Sequence, residues 1–185
     1  CEYQYGLTGT FALMIGFAVG LPPMWNIDTG ESGIGVFGLM DQGSNNGRGI
    51  IPAPPNAWTR IYSGWEVPIT TEYPDTIFLP SRSENKVVKI PINNNEYFLI
   101  ENRNNKVGNK YSLDSIRVLM SSDNNYPPYI EVLIDSIGIN RDTNNVIISI
   151  PIYDIGLPAS GLLIWHISDE IINSKIENFS INKDL

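Results

Sequence analysis

The residues able to do chemistry are few. His166 is the only histidine and Cys1 the only cysteine of 185 residues. One copy of the chain therefore cannot assemble a site built on two imidazoles or on a cysteine cluster. Carboxylates remain: Asp28, Glu31 and Asp41 fall within one turn-rich stretch, and an all-oxygen cluster of this kind suits Ca²⁺ or Mg²⁺ better than Zn²⁺. Their plainer reading is as solvated loop carboxylates. His166 stands beside Trp165 in GLLIWHI and shares a strand face with Leu162 and Ile164, which reads as a partly buried structural histidine. Ser160 and Ser168 lie near it, but no third group completes a nucleophile, base and orienting partner. The run GSNNGRG lacks the lysine and the strand-loop-helix setting of a phosphate loop, and reads as a turn.

Twelve Lys plus Arg against twenty Asp plus Glu give a net charge of -8, which repels a phosphate backbone and excludes nucleic acid as a partner. Only 17% of residues are charged. Abundant Ile, Asn, Gly and Pro suit strands joined by polar turns. The least polar stretch, TFALMIGFAVGLPPMW, carries no charge from Phe11 to Trp25. At about 15 residues it falls short of the roughly 20 that cross a bilayer. No membrane span is expected, although Gly16 and Gly20 have the spacing of packed membrane helices. No basic region precedes the stretch as in a signal peptide. Cys1 fits either a lipid-anchored mature chain or a piece of a longer one, and the absence of an initiator Met favours the piece. The C-terminus likewise reads as truncated.

Positioning falls to these elements. A helix over 8–20, capped by Thr8 or Thr10 and stopped at Gly20, is expected to be buried nearly all round. Residues 26–55 read as an extended loop packed through Ile34, Val36, Phe37, Leu39 and Met40. A short helix over 56–65, capped by Asn56 and stopped by Gly64, presents Trp58, Ile61 and Tyr62 to one side. The period then switches to two. Strands are predicted at Thr76–Leu79, Lys86–Ile92, Glu96–Asn102, Ser115–Met120, Tyr129–Ile134, Val146–Ile152 and Gly161–Ile167. IEVLID alternates as a half-solvated strand does, whereas FLIEN and GLLIWHI are apolar enough for central strands. A final helix starts at Ser168 or Asp169. The spacing suggests an antiparallel sandwich or a rolled sheet.

Four stretches together carry a resemblance. They are FALMIGFAVGLP with the downstream GLMDQGS, PAPPNAWTRIYSGWEVP, EYFLIENRN, and YDIGLPASGLLIWHISDE. In this order they resemble segments of the immune inhibitor A family of secreted bacterial zinc metallopeptidases, over roughly residues 7–172. The resemblance implies an α+β chain. Residues 1–66 would be the C-terminal part of a metallopeptidase-like domain, with active-site helix, Met-turn loop and short helix. Residues 67–185 would be a β-rich, antiparallel, sandwich-like region, with an insertion at about 104–152.

In such enzymes two histidines four residues apart bind zinc on one helical face, and the glutamate after the first activates the bound water. The corresponding positions here are Leu13, Met14 and Phe17, so the catalytic residues are missing. A further ligand is expected just past G-L-P, where this chain has Pro23, Met24 and Trp25. Met40 matches the Met-turn. Zinc is thus expected of the family while its ligands are absent here, and no cofactor is predicted. Calcium at Asp28, Asp41, Asp169 or Glu170 is an alternative, the last two matching acidic positions that either cap a helix or join an ion site. Leu13, Met14 and Phe17 are expected to fill the old cleft floor as core, with Met40 beneath them.

Three functions follow. One is a catalytically inactive peptidase-like segment of a larger secreted or cell-surface protein, with a structural or binding role alongside the rest of its parent polypeptide. A second is a β-rich adhesion module that binds glycan or protein. The third is an active peptidase whose site residues lie outside this chain.

Overall fold

A computed structural model describes residues 7–49, 51–72, 75–81, 86–106, 140–144, 147–149 and 153–183. The predicted strands Ser115–Met120 and Tyr129–Ile134, with the alternating IEVLID, lie outside them. The architecture is mixed α and β. Helix α1 spans Thr8–Ala18, α2 Asn46–Gly49 and α3 Ala57–Tyr62. A four-stranded sheet has the order β1 (Ile69–Thr70), β2 (Val88–Pro91), β3 (Glu96–Arg103), β6 (Gly161–Ser168). Strands β4 (Asn140–Arg141) and β5 (Ile147–Ser149) form a separate pair, and α4 (Asp169–Lys175) follows β6 directly.

The sheet is mixed where an antiparallel one was expected. β1 runs parallel to β2, whereas β2–β3 and β3–β6 are antiparallel. Thr76–Leu79 forms no strand: it runs as an irregular segment, and the Leu79 carbonyl accepts from Asn102 Nδ2 at 2.9 Å. β3 is central as predicted. β6 is not: among the described residues it pairs only with β3. Its apolar run turns Leu163, Trp165 and Ile167 inward and leaves Leu162 and Ile164 exposed on the other face, without a neighbour on both edges among the described residues.

Parity along β3 and β6 sorts their side chains. Tyr97, Leu99, Glu101 and Arg103 face the interior opposite Ile167, Trp165, Leu163 and Gly161, while Phe98 and His166 oppose each other on the outer face. The core packs the inner face of the sheet against Leu21, Met24, Leu39, Met40, Ala57 and Trp58, and is closed by Ile172 and Ile181. One cluster thus draws on residues from both sides of position 66.

Local signals account for the helix ends. Asn56 Oδ1 accepts from Thr59 N at 3.0 Å, and Ser168 Oγ from Ile171 N. No side chain caps α1; Leu7 occupies the cap position, so neither Thr8 nor Thr10 serves. Val19 and Gly20 close it by donating to Ile15 and Phe17 carbonyls. GSNNGRG folds as two short helical turns, over Gln42–Asn45 and α2. No helix among the described residues is long and apolar enough to cross a membrane.

Candidate functional site

Helix α1 meets the core through its glycines. Gly9 and Gly16 are the buried residues of α1. A Cβ on Gly9 would fall on the Ser44 carbonyl, and one on Gly16 would lie 2.6 Å from Met40 Sδ. Close approach at these two positions is what seats the helix. The expected burial on nearly all sides does not occur: Leu7, Phe11, Met14, Ile15 and Val19 are exposed, Met14 by 55%. Leu13 and Phe17 are half-buried against the core, and Phe17 meets the Trp25 ring edge-on at 5.8 Å. The expectation of three residues filling a core therefore holds only in part, because Met14 points outward. Met40, 1% exposed, does pack beneath the helix, but against Gly16.

Zinc does not fit this helix. Leu13 and Phe17 offer no donor atom, the Met14 thioether is a soft ligand pointing to solvent, the Met24 thioether is buried in the core, and Pro23 and Trp25 add none. The oxygen candidates do not converge either. Asp41 is buried, and its Oδ2 accepts from Ser32 Oγ and from the N–H groups of Gly33, Ile34 and Gly35 at 2.8–3.0 Å. Oδ1 takes the Gln42 N–H at 2.8 Å. With five donors already bound, this carboxylate organises the loop and has little capacity left for a cation. Asp28 pairs with Lys183 at 2.6 Å, and Glu31 accepts from Thr29. Asp169 Oδ1 accepts from Tyr97 OH at 3.1 Å, and Glu170 is exposed in the first turn of α4. Among the described residues no three His, Cys, Asp or Glu side chains group as metal ligands.

The charged centre of the molecule lies elsewhere, in residues that no sequence motif marked. Arg60 of α3 bonds Glu66 at 2.7 Å and Glu101 at 3.0 Å. Glu101 also accepts from Trp165 Nε1 at 2.9 Å and faces Arg103 at 3.4 Å, and Arg103 bonds Asp154 at 2.6 Å. Carboxylates and guanidinium groups alternate along this chain, all but Arg60 nearly sealed from water. Burial alone would lower the Arg60 pKa, but Glu101 and Glu66 outweigh it and leave the guanidinium above its ordinary value. The network ties α3 to β3 and to the turn at Tyr153–Gly156. It thereby joins three of the four stretches that carry the resemblance. A sequence signal existed: parity along EYFLIENR puts Glu101 and Arg103 on the face of Tyr97 and Leu99, where lone charges would be costly.

A second polar chain runs through Tyr97. Its hydroxyl donates to Asp169 at 3.1 Å, while Lys89 Nζ lies 3.6 Å over the ring. Burial raises the Tyr97 pKa, the Asp169 charge adds to this, and the neighbouring Trp58 side chain opposes it.

His166 is not partly buried: its side chain is 56% exposed on the outer face, 3.9 Å from Glu96 and beside the Phe98 ring. Sharing a face with Leu162 and Ile164 was correct, but that face is the solvent one, and both are exposed as well. Ser160 Oγ donates to Asn105 Oδ1 at 2.7 Å, and Ser168 Oγ serves as the α4 cap. Neither is arranged with His166 as a nucleophile. Beside His166 lies a cleft of about 350 Å³, bounded by β6, the 24–34 loop and the C-terminal segment.

The described residues thus define a small mixed α/β framework with a buried ion chain, a glycine-seated helix and a cleft beside His166. Comparison with models of protein families, with curated proteins and with solved structures finds no match.

Proposed function

We propose that the chain is a catalytically inactive, metallopeptidase-like segment of a larger secreted or cell-surface bacterial protein, with a structural or binding role beside the rest of its parent polypeptide. One observation carries the reading: Leu13, Met14 and Phe17 stand on one helix at the positions that resemble a zinc-binding His-Glu-x-x-His motif. The segments around that helix keep their resemblance, and their charged residues serve the framework through the Arg60–Glu101–Arg103 chain. What is kept supports folding, and what is lost is the metal chemistry.

Zinc content of the purified chain and its cleavage of casein test this. The expected result is no stoichiometric zinc and no chelator-sensitive turnover; stoichiometric zinc with chelator-sensitive cleavage overturns it. The family resemblance is tested separately by the paired change Leu13→His and Phe17→His. Residues four apart share a helical face, so the variant is expected to bind zinc where the parent does not. Equal zinc retention by variant and parent counts against the resemblance.

A further inference from the structure

The cleft beside His166 lies where the β3–β6 ladder ends at the pair Glu96 and Ser168, between the start of α4 and the side chains of Ile181 and Asn182. Arg103 and Gly161, where the chain leaves β3 and enters β6, stand at the other end of the ladder. Its volume of about 350 Å³ is that of a small-molecule site. Ile34, Ile171, Ile172 and Ile181 supply an apolar wall beside the rings of Trp58 and Trp165. Among the described residues of the lining there is no Lys or Arg, and Glu96 is the sole carboxylate.

Asn56 also lines the cleft, and its side chain is only half used. The residue is 3% exposed, and its Oδ1 accepts from Thr59 N at 3.0 Å to cap α3. That bond fixes which way the amide faces and leaves Nδ2 over. Its two N–H groups have no partner among the described residues. Two other donors of the lining are taken up by the protein itself, Trp165 Nε1 by Glu101 and Asn182 Nδ2 by the Met24 carbonyl. The described side-chain atoms that are sealed from solvent without a partner are Thr59 Oγ1 and Glu66 Oε1, and Asn56 Nδ2 is not one of them. It therefore meets solvent, and the cleft is the opening that its residue borders. An unmet donor in so apolar a setting is costly, and an acceptor placed beside it removes the cost.

We propose that the cleft binds a small uncharged molecule with an apolar body and a carbonyl oxygen, the body against the isoleucines and the carbonyl accepting from Asn56 Nδ2. An anion would lose its hydration there without meeting a cation, in the field of a chain that carries -8. A cation would find its counter-charge only in Glu96, whose carboxylate is partly exposed and so screened by water. A neutral carbonyl incurs neither cost and satisfies the open donor. The inference goes beyond the inactive-peptidase reading and does not depend on it.

Phenylacetamide, phenylacetate and phenethylamine share an apolar body and differ in their polar group. Each is titrated into the nitrogen-15-labelled chain while the assigned side-chain N–H signals of Asn56 are followed by NMR. The amide is expected to bind in about the millimolar range that so small a probe allows, moving the Asn56 signals downfield as the hydrogen bond forms. The acid and the amine should bind about tenfold more weakly. Asn56→Asp keeps an oxygen cap for Thr59 and removes the donor, so it should melt close to the parent and bind the amide about tenfold more weakly. If that variant unfolds, the parent's Asn56 signals decide alone. Saturation by the amide without movement of those signals overturns the proposal, as does equal affinity of a folded Asn56→Asp variant. Phenylacetate or phenethylamine binding as tightly as the amide overturns it as well, and so does absence of amide binding at the solubility limit of the probe.

Discussion

Replacing Arg103 by Met removes the cation at one end of the buried ion chain and leaves a side chain of similar length. Asp154, 6% exposed, then loses both of its bonds from Arg103, at 2.6 and 2.8 Å, and keeps the Asn104 N–H at 3.2 Å. Glu101 retains Arg60 and Trp165, so Asp154 bears most of the deficit. Stranding a buried charge costs about 3–5 kcal/mol. That is a large share of the roughly 5–15 kcal/mol that holds a domain folded. For a chain of this size the midpoint of a thermal melt should fall by about 10 °C. The cause can be separated from lost packing. Adding Asp154→Leu removes the stranded charge and should recover at least half of the loss, because a buried ion pair exchanged for apolar groups is often near neutral. Urea titrations followed by circular dichroism measure both variants. A single-variant loss under about 1 kcal/mol, or a double variant no better than the single, would refute the network's role.

The seating of α1 and the state of Tyr97 give two further expectations. Gly16→Leu drives a side chain into Met40 Sδ, 2.6 Å from the Cβ position, and should cost about 1–3 kcal/mol in urea titration. Ile15→Lys, on the exposed side of the same helix, should change stability by no more than about 0.5 kcal/mol while lowering the fluorescence of an apolar dye; equal costs for the two would contradict the glycine-seated arrangement. Tyr97 has a folded pKa above its ordinary 10.0, so stability from its protonated phenol is fully present below that value and is lost as pH rises from there toward the raised one. Tyr97→Phe should therefore lose less stability than the parent between pH 9 and pH 11, and equal losses would show that another group governs alkaline unfolding.

Short-range pattern revealed elements better than it revealed environments. The Asn56 cap and the helix after Ser168 rest on contacts a few residues apart, the strands at Glu96 and Gly161 on the residue types along their own runs, and all appear. Exposure depends on what packs against an element from afar. The charge-free α1 looked buried on every side, yet Phe11 is 63% and Ile15 62% exposed. Nothing within the helix specifies a covering partner. His166 shows the same limit in a strand: parity fixed its companions, while the side of the sheet they occupy depends on where α3 and the 24–34 loop pack. The carboxylates Asp28 and Asp41, close in sequence, separate because Asp41 binds inward to its own loop and Asp28 reaches out to Lys183. The ion chain was hidden because its members lie far apart in sequence, Arg60 and Asp154 among them.

Seating through glycine also lets the other side chains of α1 vary while the helix keeps its place. Contact at Gly9 and Gly16 is made by backbone against Ser44 and Met40. Side chains at 13, 14 and 17 add to it only in part, and Met14 adds least. Positions 13 and 17 pack against the core only in part and position 14 faces solvent, so side-chain exchange there leaves the helix seated. The glycines have no such latitude, because any Cβ at either site meets an atom already in place. The fold should therefore tolerate Leu13→His and Phe17→His far better than any change at Gly16. A melt showing the opposite order would mean that the helix is held by its apolar face after all.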